Sequence, residues 1–240
     1  MGKTTKEQKV KFTDYQTELL YPIPETTAIR QIETCARICY RSKTDDILTA
    51  MGFLKKLWKL GHHSVFEHVN ITVFFKMDRG LSHEMVRHRL CAFSQESTRY
   101  CNYNDEIEFV FPSGIVDSFD DMNAYKTAAI KCAEQYHHAL ARGNAPQNAR
   151  ALLPNMLVTR MYMTANVRQW MHIFDMRLRN PGAHPDMRRL MSITADEFLK
   201  HYPDLFGKIL DLEIMNADYK TVLQGQQNAK AEKMLTGKPL

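Results

Sequence analysis

Apolar residues recur along this chain at two different periods, and the switches between them divide it into elements. Pro22 and Pro24 close an extended or irregular stretch over 11–24, and Ile29, Ile32, Ala36 and Cys39 then fall at three- and four-residue steps. That spacing predicts an amphipathic helix from Glu25 or Thr26. Ile47, Leu48, Met51, Leu54, Leu57 and Trp58 predict a second helix over Asp45 to Leu60, with Gly61 as its stop. Val69 to Lys76 alternates β-branched and aromatic residues as a strand does, and Asp78-Arg79-Gly80 predicts a turn. Ser82 can then cap a short helix over 82–90.

Ile107 to Phe111 reads as a further strand ended by Pro112-Ser113-Gly114, and Met122, Tyr125, Ala129, Cys132, Tyr136 and Leu140 predict a long packing helix over Asp117 to Arg142. Asn144 and Pro146 open a short helix that Pro154 ends. Met156 to Ala165 is strand-like, with Leu157, Thr159, Met161 and Met163 on one face. Asn166, assisted by Gln169, caps the helix after it. A loop over Arg179 to Pro185 leads into a helix from about Asp186 to His201. Beyond Phe206 the apolar pattern weakens, and Gln224 to Leu240 is polar, lysine-rich and expected to be mobile. No repeat or linker interrupts the series. The pattern predicts a mixed α/β (α+β) fold: a single domain over 1–210, a central β-sheet flanked by helices, and a C-terminal extension over 211–240.

Composition narrows the class without naming a chemistry. The chain has 240 residues, 44% hydrophobic and 10% aromatic, enough for a sizeable core. A formal charge of +5 falls short of the concentrated basic stripe of a dedicated nucleic-acid binder and suits anionic small molecules equally. Five cysteines without paired Cys-x-x-Cys spacing predict a reduced, cytoplasmic protein. The lysine-bearing start, Met1 to Val10, has no apolar signal core, and no run approaches membrane-spanning length.

The densest chemistry lies at Arg87 to Tyr100, which places three arginines and His88 beside Ser94, Gln95, Glu96, Ser97 and Thr98. Arginine forks grip phosphate or carboxylate, and the Ser94–Tyr100 loop could add backbone N–H groups as an anion-binding concavity. A structural Arg–Glu network is the competing reading. If 82–90 is helical, Arg87 and Arg89 project about 200° apart, so the segment would serve two surfaces, with Glu84 on the Arg87 face as orienter or ligand contact. Along the helix after Asn166, Arg168, His172 and Asp175 share a face, while Arg177 lies about 180° away. His62, His63, Glu67 and His68 form a second polar group. It suggests a metal-dependent hydrolase, although its spacing is not His-Glu-x-x-His. An RNA-binding role for the Arg- and Tyr-bearing stretch 87–103 is the other alternative; no RNP-type signature accompanies it.

Arg87-His88-Arg89, seven residues and then Ser97 resemble the signature of the flavin-dependent thymidylate synthases. His62-x-Ser64-x-Phe66-Glu67-His68 is similar to that family's earlier block, and Asn166-x-Arg168 through Arg177 to its later one, with Arg150 and Pro154 fitting between. The resemblance implies reductive methylation of dUMP to dTMP, with 5,10-methylenetetrahydrofolate as carbon donor, FAD as hydride carrier and NADPH as reductant. It also implies the family's mixed α/β fold and a homotetramer whose flavin sites lie where subunits meet, without nucleic acid or membrane partners. On the same basis Ser64, Arg87, His88, Arg89, Gln95, Asn166, Val167, Arg168 and His172 are expected at FAD. Glu84, Met85, Val86, Arg87, Gln95, Glu96, Ser97, Thr98, Arg99, Arg150 and Arg177 are expected at dUMP, with Arg177 polarising the pyrimidine. His62 is either a flavin or folate contact or a structural histidine. The chain departs from the common pattern at Ser94-Gln95, often Asn-Glu, at Glu84, often Gln, and at His172, often Asn.

Overall fold

The computed structural model describes residues 9–101, Tyr103, 106–115 and 118–236, the side chains of Lys9, Tyr40 and 229–236 excepted. The expected first residue of the long helix, Asp117, lies outside these residues, as does most of the lysine-bearing start. In chain order the elements are β1 (Lys9–Thr13), β2 (Gln16–Leu19), α1 (Glu25–Arg37), α2 (Ile47–Lys59), β3 (Asn70–Asp78), α3 (Arg79–Met85), β4 (Ala92–Gln95), β5 (Glu106–Val110), α4 (Phe119–Ala141), α5 (Pro146–Ala149), β6 (Val158–Asn166), α6 (Val167–Phe174), α7 (Pro185–His201) and α8 (Leu212–Thr236). The fold is mixed α/β, as the periodicity predicts. Its strands form two sheets: β1 and β5 as a parallel pair, and four strands in the order β2-β3-β6-β4.

The chain divides into two compact units, each built from discontinuous segments: 1–17 with 73–163, and 18–72 with 164–240. In the first unit β1 and β5 run in register from Lys9 opposite Glu106 to Thr13 opposite Val110. Ile107, Phe109 and Leu157 pack with Ala129, Ala133, Tyr136 and Ala139 of α4. These α4 residues fall at four- and three-residue steps on one face, where the small alanines let the helix approach closely, and Phe12 stacks on Phe111 with ring centroids 4.4 Å apart.

Three expectations for this unit change. The residues expected to form a turn, Asp78-Arg79-Gly80, instead start a helix: Asp78 Oδ1 accepts from the Leu81 N–H at 2.9 Å, the N-cap role assigned above to Ser82. The first turn is also tied down by Arg79 N–H to Leu157 O at 3.0 Å and Gly80 N–H to Asn155 O at 3.2 Å. Starting earlier, α3 ends earlier, at Met85. Arg87 and Arg89 therefore follow the helix, and the 200° separation argued from helical geometry does not apply. The segment expected as a loop from Ser94 begins inside strand β4.

The second unit is mostly helical. Trp170, Phe174 and Phe206 surround Phe198 at centroid distances of 5.1, 5.3 and 4.7 Å, and the Trp170 indole N–H donates to Ile71 O at 3.0 Å. Asp46 caps α2 through the Leu48 and Thr49 N–H groups, and Gly61 follows its end at φ 81°, a conformation glycine adopts without strain. After Phe174 the helix widens into a π turn over Asp175–Arg179, which changes the rotation from Arg168 to Arg177 and supersedes the 180° estimate. The expected extension opens as packed structure: Met215, Asn216 and Tyr219 of α8 are buried, and the Ser192 hydroxyl donates to Asn216 Oδ1 at 2.7 Å. Of the polar residues from Gln224 to Leu240, expected to be mobile, those up to Thr236 continue the helix, as their Ala, Gln, Lys and Glu content favours, and 237–240 lie outside the described residues. Among the described residues no helix is long and apolar enough to cross a membrane.

Candidate active site

Within the first unit, the post-helical segment leaves α3 with His88 buried and with Arg87 and Arg89 exposed on either side of it. Among the described residues neither guanidinium has a hydrogen-bond or ion-pair partner, so the structural-network reading does not account for them. Exposed, unpaired arginine forks are suited to an anion from outside the unit. Met85 is fully buried and offers no side-chain contact to a ligand, whereas the neighbouring Val86 is exposed and Glu84 partly so.

The β4 end and the turn after it are braced from below. Gln95 Nε2 donates to Ser82 Oγ at 2.9 Å and Thr159 Oγ1 at 3.2 Å, so its amide N–H groups hold the scaffold and only its carbonyl is left for a ligand. Glu96 accepts from the Tyr103 hydroxyl and, at 3.3 Å, from Arg160, while its own N–H donates to Arg160 O at 2.9 Å. This glutamate is a brace in the unit as it stands. Thr98 is buried, and its hydroxyl accepts from Arg150 at 3.1 Å, which orients an otherwise exposed guanidinium. Arg99 lies over the Tyr100 ring at 5.4 Å. The expected concavity of N–H groups is partly filled, since those of Tyr100 and Cys101 both donate to Ser97 O.

Beneath the brace sits a charge network that residue spacing does not reveal. Arg160 also reaches Glu108, whose other oxygen accepts from Lys76 at 2.7 Å; Lys76 in turn donates to Thr13 at 3.1 Å. Burial alone would raise the Glu108 carboxyl, but the Lys76 hydrogen bond and the Arg160 charge outweigh it and hold the group below the ordinary carboxylate range. Burial, reinforced by Glu96, pushes the Tyr103 hydroxyl up, so it remains a donor at neutral pH. The available signal was Glu108 itself: a carboxylate between Ile107 and Phe109 in an apolar strand must find cations if it is buried.

The second unit brings together the other two blocks. Glu67, in the 3₁₀ turn His63–His68, pairs with Arg168 on α6 at 2.5 Å, and the Val167 N–H donates to Val69 O at 3.0 Å. Asn166 Oδ1 caps α6 by accepting from the Gln169 N–H at 2.8 Å, which shows that this asparagine orients the helix. Ser64, Arg168 and His172 are exposed, Val167 is buried, and Arg177 is partly buried on the π turn, where Asp175 pairs with Arg179 at 3.0 Å. The His63 ring stacks on Trp58 at 4.0 Å and bonds its carbonyl oxygen at 3.0 Å. Exposed His62 borders that turn. Among the described residues no group of three or more His, Cys, Asp and Glu is placed to hold a metal ion.

Residues 23–204 match the family model for thymidylate synthase complementing protein. A flavin-dependent thymidylate synthase of Geobacter sulfurreducens is 32% identical over 168 residues, 66% of this chain and 72% of that protein. One from Mycolicibacterium vanbaalenii is 30% identical over 203 residues, 77% of this chain and 79% of that protein. Among solved structures, a UMP/dUMP methylase, PolB from Streptomyces cacaoi bound with 5-Br dUMP, superposes with a TM-score of 0.71 at 20% identity, covering 82% of this chain and 94% of that one.

Proposed function

The chain belongs to the flavin-dependent thymidylate synthase family, and on that premise we propose that it converts dUMP to dTMP by reductive methylation. The methylene group comes from 5,10-methylenetetrahydrofolate and the external electrons from NADPH. The observation that carries the reading is the pair of exposed, unpartnered guanidiniums, Arg87 and Arg89, flanking a buried histidine in the family signature. Such a pair suits the diphosphate or monophosphate of a nucleotide.

FAD fits the donor set. Arg87, Arg89 and Arg168 would hold its phosphates, with Ser64 and His172 as exposed polar neighbours of Arg168's block. When bound, the flavin supplies the hydride, for which the chain has no redox group of its own. The protein's tasks are binding and polarisation. Ser97, Arg99 and Arg150 bind the dUMP phosphate and base, and Thr98 fixes Arg150 for it. Carbon transfer requires an electron-rich uracil C5, so charge must be stabilised at the ring carbonyls as the new bond forms; Arg177, a permanent cation, is assigned that task. Gln95 and Glu96 position the signature rather than acting as principal ligands.

The family's homotetramer, with flavin sites where subunits meet, belongs to the same reading. Leu90 within the signature and Tyr100 just after it, 76% and 77% exposed, support it because a partner surface would cover them. Five cysteines without paired Cys-x-x-Cys spacing support the reducing cytoplasm. The test is incubation of the purified chain with dUMP, methylenetetrahydrofolate, NADPH and FAD. Formation of dTMP dependent on all four is the expected result, and protein that neither retains nor regains flavin and yields no dTMP refutes it.

A further inference from the structure

The segment after α1 encloses a cavity that the proposed activity leaves unused. It lies within the second unit, has a volume of about 560 Å³, in the range of small-molecule sites, and is walled by the last turns of α1 and residues up to Asp45. The wall is held by a buried carboxylate. Glu33, 3% exposed, accepts from Arg30 at 2.8 Å and from Arg37 at 2.6 Å. Arg30 continues to the carbonyls of Thr44 and Asp45, and Arg37 reaches Ser42 Oγ at 3.3 Å while lying over the Phe53 ring at 4.4 Å. Two guanidiniums sharing one carboxylate thereby strap the segment to the helix.

Two further cations line the cavity without this support. Among the described residues the side chains of Arg41 and Lys43 have no hydrogen-bond or ion-pair partner, and both residues are exposed. Arg41 is held at φ 48°, an uncommon conformation for a residue with a side chain, with its N–H bonded to Ile38 O at 3.3 Å. Four cations therefore face two carboxylates, Glu33 and Asp45, and Glu33 is already shared. The excess charge sits on the two side chains free to move onto a ligand.

We propose that this cavity binds an oxyanion-bearing small molecule through Arg41 and Lys43. Two sources have the right chemistry, the phosphates of a reduced nicotinamide dinucleotide and the clustered carboxylates of a poly-γ-glutamyl folate tail. These two rest on the proposed activity; the oxyanion site itself does not. The test is calorimetric titration of the purified full chain with inorganic pyrophosphate, NADPH and tri-γ-glutamate, compared with the double variant Arg41→Asn, Lys43→Gln. Asparagine tolerates the left-handed backbone at position 41.

Pyrophosphate should bind, weaken as salt is raised, and lose about 10- to 100-fold in affinity in the double variant at unchanged melting temperature. The same loss for NADPH assigns the nucleotide phosphate, and for tri-γ-glutamate the folate tail. Absence of pyrophosphate binding, a wild-type affinity insensitive to salt, or equal affinity in the double variant overturns the site. No turnover enters the readout, so the inference fails or stands separately from dTMP synthesis.

Discussion

Replacing Glu108 by Gln tests whether the charge network under the signature supports the first unit. The Glu108 and Lys76 side chains are each 9% exposed and 2.7 Å apart, so the substitution leaves a buried ammonium facing a neutral amide. Removing one charge from a buried pair costs about 3–5 kcal/mol. Glutamine still offers an acceptor and Lys76 keeps Thr13 at 3.1 Å, which brings the expected loss to about 2–3 kcal/mol. Urea unfolding near neutral pH should show a lower midpoint with unchanged slope.

The pH dependence follows from the depressed Glu108 carboxyl. Its stabilisation is fully present above the unfolded value of 4.5 and is lost as pH falls through the lower folded value, so the gap between wild type and variant should close below 4.5. Glu108→Leu combined with Lys76→Met should be less destabilised than Glu108→Gln, because no unpaired charge remains buried. A neutral-pH gap under about 0.5 kcal/mol, or one independent of pH, would refute the reasoning.

Asn166→Ala removes the cap accepted from the Gln169 N–H and should cost about 1 kcal/mol in thermal or urea unfolding. Arg168→Ala breaks a pair with Glu67 whose side chains are 50% and 44% exposed; stability should change by less than about 1 kcal/mol while the flavin absorbance of the purified protein falls. Arg177→Ala should lower dTMP formation by about 100-fold or more at nearly full flavin content, and parallel loss of both would reassign it as a structural or flavin-holding residue.

Most elements were legible because their signals are local. The cap at Asn166, the stop at Gly61, and the alternation through Leu157, Thr159, Met161 and Met163 each depend on neighbours a few residues away. The α3 boundary was missed because Asp78 and Ser82 are both competent caps, and the choice was made by backbone bonds to Asn155 and Leu157, more than seventy residues on. The π turn at Asp175–Arg179 has no distinct periodicity over so few residues.

The sequence by itself determined the family, the mixed α/β class and the basic character of the 87–99 stretch, since motif spacing and residue chemistry are written in linear order. Only the tertiary structure decided which of those side chains are available. It left Arg87 and Arg89 unpartnered, turned Gln95 and Glu96 into braces, gave Arg150 to Thr98 and Glu67 to Arg168, and joined Lys76, Glu108 and Arg160 in one network. A charged side chain's role depends on which partner reaches it first, and partners distant in the chain meet only when the chain folds.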